Sequence, residues 1–328
     1  MSAIRRGGLR GTMSVAVALA VAIALAAAPM PAARGAAPLK VAAALPGIIT
    51  DKGWNQAAYE ALRQMQKQLG AQIAYTERVA QSDQTEVLGD YARRGFDVVF
   101  GHGGEFDAAA KQVAQRFPKT KVIVSAGTVT GRNLASVQVN VFQMGYLTGT
   151  VAGMMTKSNK VAAILAQKFQ QTDEMLLGYT EGARAVNPNV TVSSSYTGDW
   201  NDVGKAKEAA IAHIAQGADV VWPILDHALV GVFDAVKEKN VYALGFTGDQ
   251  LDLAPKNILT SGLQRIGVAM VEMVKLVAAG KFSGKVYVFG LEVGATGLGR
   301  YNPVVPQKVK DKVTEVKQAL LAGRIKHP

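Results

Sequence analysis

Two tryptophans in polar turns are the side chains best placed to do chemistry. Trp54 lies in Thr50-Asp51-Lys52-Gly53-Trp54-Asn55-Gln56, and Trp200 in Gly198-Asp199-Trp200-Asn201-Asp202. Each turn follows a short apolar run and precedes a helical pattern, so each falls between a strand and a helix. Open α/β sheets bind ligands there, because helix amino ends and loop side chains converge at that edge. An indole stacks on a flat ring, and the Asn55 amide beside Trp54 can hydrogen-bond the ring's edge. Two structural alternatives stand beside this. Trp54 could staple its helix to the core, and Asn201 or Asp202 could cap the helix that follows.

A third turn, Gly101-His102-Gly103-Gly104-Glu105, also joins a strand to a helix. It matches neither GxGxxG nor the Walker A pattern. Its glycines instead let backbone N–H groups come close to a ligand. Asp226-His227 follows an apolar strand, and His102 and His227 could each line a cleft or be ordinary loop residues. The search for catalysis returns little. The four histidines lack metal spacing. Ser193-Ser194-Ser195 lies within a strand and lacks a nucleophile elbow. No carboxylate pair has spacing suited to acid–base work, and no metal or cofactor is expected. An enzyme in the same cleft, such as a nucleoside hydrolase, would need a metal or a carboxylate cluster.

Composition sets the frame. At 328 residues the chain suggests about two domains. The formal charge of +11 is scattered, with no basic run of five or six residues and no interleaved aromatics. It describes a solvated surface rather than a nucleic-acid site. Arg5, Arg6 and Arg10 precede the apolar run Val15 to Leu25, followed by small residues and prolines. This is the three-part form of a secretory signal spanning residues 1–36, with a retained anchor and a sensor ectodomain as the alternative. Cysteine is absent, so no disulfide, thiolate metal site or lipid-bearing cysteine is expected.

The elements that must hold the turns can be read from apolar periodicity. Strands are predicted at Lys40–Leu45, Gln72–Glu77, Asp97–His102, Val122–Ala126 and Ser136–Val141. Helices are predicted at Tyr59–Leu69, Thr85–Arg94 and Phe106–Arg116. The alternation then restarts with a glycine-rich helix, Gln143–Met155. Strands follow at Lys160–Ala166, Thr191–Tyr196, Asp219–Pro223 and Tyr242–Phe246, and helices at Asp173–Ala185, Val203–Ala215 and Leu229–Lys239. Trp222 is expected in the core. The last stretch carries a strand at Ile258–Leu263, a helix at Ile266–Ala279 and a strand at Val286–Leu291. A glycine-rich loop, Gly294–Gly299, and a helix, Val309–Leu321, complete it. Strands separated by helices imply parallel sheets covered on both faces. The expected architecture is α/β with two doubly wound lobes joined by hinge strands. One lobe would span residues 37–140 plus 265–288, the other 141–264 plus 289–328.

Several motifs, taken together, resemble the basic membrane protein family of ABC-importer substrate-binding proteins. They are Asp51 to Gln56, Phe142 to Gly153, Gly198 to Asp202, Gly217 to Val221, Gly248-Asp249-Gln250 and Thr260-Ser261. The resemblance covers nearly the whole chain after residue 36. It implies a type I periplasmic binding protein, a purine-nucleoside-like ligand, an inner-membrane permease partner and a monomer free in the periplasm. It further implies that Trp54 and Trp200 stack on a base, that Asn55 contacts it, and that Gly103-Gly104-Glu105 and Asp226 border it. Two departures bear on the sugar. The family's G-x-D-x-D-Q reads Gly245 to Gln250 here, with Thr247 at the first Asp and Asp249 retained. Its T-S-x-x-K ends in Gln264. A purine base or similar flat heterocycle is therefore the expected ligand, with the ribose-binding nucleoside as the weaker alternative.

Overall fold

Val41 to Ala44, Val98 to Phe100 and Val122 to Val124 have no exposed surface. Runs of small and β-branched residues without polar alternation form strands buried on both faces, which need helices on either side. The computed structural model describes residues 38–51 and 53–327. The expected signal peptide at residues 1–36 lies outside them.

Along the chain come β1 (Lys40–Ala44), α1 (Trp54–Leu69), β2 (Gln72–Thr76), α2 (Gln84–Arg93), β3 (Val98–His102), α3 (Asp107–Arg116), β4 (Lys121–Ser125) and β5 (Leu134–Val139). Then follow α4 (Val141–Met155), β6 (Lys160–Leu165), α5 (Gln170–Val186), β7 (Thr191–Tyr196), α6 (Val203–Ala215), β8 (Val220–Ile224), α7 (Leu229–Lys239) and β9 (Tyr242–Thr247). The remainder is β10 (Ile258–Gln264), α8 (Ile266–Ala278), β11 (Val286–Phe289), β12 (Thr296–Leu298) and α9 (Gln307–Leu321). The first sheet has the order β11-β5-β4-β3-β1-β2, and the second β12-β10-β9-β8-β6-β7. All pairings are parallel except β12 against β10. One core cluster lies under α2 and α3, another under α6 and α7. A third joins the opposite faces of both sheets with α1, α8, α4, α5 and α9.

The differences from the sequence reading are local. Helix α1 begins at Trp54, five residues before the predicted start, because Asp51 supplies its amino-terminal cap. Helix α5 also starts early, at Gln170, where the Phe169 N–H donates to Thr172 Oγ1 at 3.1 Å. The predicted glycine-rich loop contains β12. That strand is too short and glycine-rich to show alternation, and its partner β10 supplies the order.

The chain passes between the sheets three times: after β5, after β10 and after β11. These passages are bonded to one another. Asn140 N–H donates to the Phe289 carbonyl at 2.8 Å, and Arg265 N–H to the Ala295 carbonyl at 2.8 Å. Leu291 N–H donates to Gln143 Oε1 at 2.9 Å.

Helices α4 and α5 touch backbone to backbone. A methyl at Gly145, Gly149 or Gly153 would fall on the carbonyls of Met175, Tyr179 or Ala183, and one at Gly178 or Gly182 on those of Phe142 or Tyr146. No side chain can yield there, because the obstacle is main chain. Gly149→Ala is expected to destabilise the fold by about 1–3 kcal/mol through overpacking. Urea unfolding would read this as a lower midpoint at similar slope, and an unchanged midpoint would refute the close approach.

Candidate functional site

In the first sheet the strand order reverses at β1 and β3, and in the second at β6 and β8. Loops at the carboxyl ends of such strand pairs form the ligand crevice of doubly wound sheets. Trp54, His102 and the Gly103–Glu105 turn stand at the first of these points, Phe169 and Asp226 at the second.

The turn after β1 is organised by a carboxylate. Asp51 accepts from the backbone N–H groups of Gly53 (2.9 Å), Asn55 (2.8 Å) and Gln56 (3.0 Å), and from Asn55 Nδ2 (2.7 Å). Partial burial alone would raise the Asp51 carboxyl, but these hydrogen bonds hold it below the usual aspartate value. Asn55 Oδ1 accepts from Gly47 N–H at 3.0 Å. The amide named from sequence as a base contact thus braces its own loop, with one Nδ2 hydrogen still unassigned.

Trp54 opens α1 as a half-buried ring stacked on His102, with centroids 4.2 Å apart and planes 21° from parallel. The two residues also exchange hydrogen bonds. His102 Nε2–H donates to the Trp54 carbonyl at 2.9 Å, and Trp54 Nε1–H to the His102 carbonyl at 3.4 Å. A carbonyl can only accept, so Nε2 carries the proton and Nδ1 is a bare acceptor. His102 is fully buried, and Nδ1 has no partner. Neither has Ser125 Oγ, which lies beside it in register on β4. Burial pushes His102 down to about 4, partly opposed by the Trp54 carbonyl and the charge of Asp51. The imidazole covers one face of the indole, and the ring also packs against the core cluster shared by both sheets.

Gly103 has φ +136, a conformation costly for residues with a Cβ, and it turns the chain out of β3. Gly104 then starts a short 3-10 turn, Gly104–Phe106, with Glu105 exposed on it.

In the second half Trp200 is half-buried, its carbonyl accepting from Ala228 N–H at 3.1 Å. Its polar neighbours shape the loop: Asp199 Oδ1 accepts from Asn201 N–H at 2.7 Å, and Asp202 Oδ1 caps α6 through Lys205 N–H at 3.0 Å. The Trp200 ring lies 6.2 Å from that of Phe169, tilted by 58°. Trp222, by contrast, is wholly buried and donates from Nε1 to the Gly245 carbonyl at 3.1 Å. Among the described residues no ring contact joins Trp54 to Trp200; each indole has its partner within its own half.

Asp226 is open to solvent, yet the protein around it raises its carboxyl, and the negative charge of Asp51 raises it further. Thr247 ends β9 with φ +71, and Gly248 N–H donates back to the Phe246 carbonyl at 2.9 Å. This is the bond pattern of a γ-turn, strained for a β-branched residue, and strain of this kind gathers at binding sites. Asp249 is engaged. Its Oδ2 accepts from Arg300 Nε at 2.8 Å, and Arg300 also pairs with Asp252 at 2.7 Å. Gln264 ends β10, half-buried, opposite Thr296.

The sequence reading missed two members of this arrangement, the Asp51 cap and the His102 platform. The Asp-x-x-x-Asn spacing before a helix was the available sign of the first. His102 gave no sign beyond its place at a strand end. No group of three or more His, Cys, Asp or Glu able to hold a metal occurs among the described residues. A depression of about 540 Å³ lies elsewhere, between Met154, Val186 and the charged face of α9.

Two doubly wound sheets, three stitched passages and an aromatic turn at each strand reversal define a type I periplasmic-binding-protein fold. The chain belongs to the Bmp family, described as ABC transporter substrate-binding protein PnrA-like, which matches residues 39–327. Such proteins take a small-molecule ligand and work with a permease. The chain is 28% identical over 278 residues to the transcriptional activator protein med of Bacillus subtilis, covering 84% of this chain and 87% of that one. It is 26% identical over 303 residues to the ABC transporter nucleoside-binding protein BmpA of Lactococcus lactis, covering 85% and 86%. The crystal structure of a transcriptional activator of the comK gene from Bacillus halodurans superposes with a TM-score of 0.78 at 28% identity, over 88% of this chain and all of that one.

The His102 environment makes stability depend on pH. Its proton affinity is depressed in the folded state, so the unfolded chain binds more protons between about pH 6.5 and 4. Its contribution is complete above 6.5 and is lost as pH falls toward 4, by roughly 3 kcal/mol in all. Urea unfolding across this range should show a flatter slope for His102→Phe than for the natural chain. His213, lowered by burial between Ser193 and Ser195, leaves a residual slope in the variant. Equal slopes would contradict the assignment.

Proposed function

We propose that this protein is the exported solute-binding component of an ABC importer and captures a flat heterocycle, a purine base, between its two lobes. The reading rests above all on the Trp54 indole, stacked on His102 at a strand reversal and still partly exposed. Trp200 answers from the second half. Lobes of residues 37–140 plus 265–288 and 141–264 plus 289–328 would close on the ligand, exclude water from it, and present the surface an inner-membrane permease reads. Residues 1–36 would be removed on export, leaving a monomer free in the periplasm. No step of this cycle is catalytic.

The name of the nucleoside-binding relative supports a ligand of this class. Thr247 and Gln264 narrow it, because they stand where the resemblance expects the ribose-binding Asp and Lys. Asp249, paired with Arg300, does not replace the missing charge. A site built to bond a sugar rejects what leaves its groups unpaired, and a site without those groups gains little from the sugar.

Calorimetry with adenine, hypoxanthine, guanosine and uridine should give heat with the bases; heat from nucleosides alone would reject the base reading. Trp54→Ala and Trp200→Ala should each lower affinity more than tenfold while the chain still folds. Unchanged affinity in both would remove the site. The double variant Thr247→Asp/Gln264→Lys should gain at least tenfold in guanosine affinity, since Asp tolerates the positive φ better than Thr. No gain would mean that these positions do not face a sugar.

A further inference from the structure

Four buried side-chain polar atoms find no hydrogen-bond partner among the described residues: His102 Nδ1, Ser125 Oγ, Asp107 Oδ1 and the Tyr179 hydroxyl. Buried groups in that state are costly and uncommon, so each asks for a reason. Two of them are neighbours. His102 ends β3 and Ser125 ends β4, and the parallel register of these strands pairs one with the other. Side chains at paired positions of adjacent strands point to the same face. Two residues earlier, the pair Phe100 and Ile123 belongs to the core cluster shared with α1, so His102 and Ser125 lie on the α1 side as well. Neither has any exposed surface. Asp107 belongs to α3, which packs on the opposite face, and Tyr179 to α5 in the second half.

The two atoms are also complementary. The Trp54 carbonyl requires the proton on His102 Nε2, so the neutral ring offers a lone pair at Nδ1. A serine hydroxyl rotates to suit its surroundings and supplies the proton that such a lone pair takes up. Neighbouring strands run about 4.8 Å apart, a gap that a hydroxyl spans directly or through one water. The partner of one ring nitrogen decides what the other can do, and with both engaged the plane of an imidazole is fixed. Trp54 rests on that plane, with ring centroids 4.2 Å apart.

We infer that Ser125 is a positioning residue for the candidate site: its hydroxyl donates to His102 Nδ1, directly or through one bound water, and so holds the imidazole on which Trp54 is stacked. Its effect on affinity rests on the heterocycle-binding reading above; the hydrogen bond itself does not. Ser125 is wholly buried and acts on a ligand only through His102 and Trp54 in turn. Without the hydroxyl, Nδ1 keeps an unpaired lone pair in the interior. The ring then tilts to relieve it and carries the indole with it.

The test joins nitrogen NMR of the His102 ring to adenine calorimetry on the natural chain, Ser125→Ala, Ser125→Thr and Ser125→Val. The last two variants share a shape and differ in the hydroxyl, which separates its hydrogen bond from crowding by the added methyl. Ser136→Ala is the control, because Ser136 is equally buried on β5 and its hydroxyl donates to the Val129 carbonyl at 2.8 Å. In the natural chain and Ser125→Thr the Nδ1 resonance should be that of a hydrogen-bonded acceptor. In Ser125→Ala and Ser125→Val it should move to that of a bare nitrogen. Adenine should bind Ser125→Ala about fivefold more weakly than the natural chain, and Ser125→Val about fivefold more weakly than Ser125→Thr, with Ser136→Ala unchanged. An Nδ1 resonance that is the same in every variant overturns the inference. So does a shifted resonance with unaltered affinity, or an equal loss of affinity in Ser136→Ala, which would reduce the effect to stability. If the natural chain does not bind adenine, the heterocycle reading and the positioning role fail together, while the resonance still decides the Ser125–His102 bond.

Discussion

The hold of Asp51 on the first turn of α1 is the constraint on which the rest of the site depends. One carboxylate satisfies three backbone donors that a helix start leaves unpaired, and a side-chain amide besides. That fixes where α1 begins, and therefore where Trp54 stands. The stack on His102 and the reciprocal hydrogen bonds then fix how the indole is turned. A ring so held has little rotamer freedom left, which is the meaning of a preorganised side chain.

The second half meets the first with different means. Its aromatic pair is two tilted rings rather than one clamped ring, and its Asp226 carboxyl, exposed to solvent, is raised by the surrounding protein and by the charge of Asp51.

Much of this was legible in the residues. The apolar runs gave both sheets, the small residues of α4 announced close helix contact, and Trp222 within an apolar run was correctly assigned to the core. The tryptophan turns were visible because a large aromatic stands out among Gly, Asp and Asn, and both indoles also pack against core clusters. What could not be read depended on partners distant in sequence. Asn55 looked like a free amide until the loop folded Gly47 back onto it. Asp249 looked available until Arg300, about fifty residues on, took its carboxylate. His102 was one strand-end histidine among other possibilities until β1 and β3 were laid side by side and Trp54 came down on it. Strand β12 was invisible because three residues carry no periodicity.

The position of β11 has a consequence for how the molecule is made. Residues Val286–Phe289 form the outer strand of the first sheet, beside β5, whose own residues end at Val139. A nascent chain that has finished the second sheet's parallel strands still exposes an open edge on the first, awaiting a partner encoded near its far end. The first sheet is therefore complete only once a segment from the far end of the chain has been made, although domains often fold as they are synthesised.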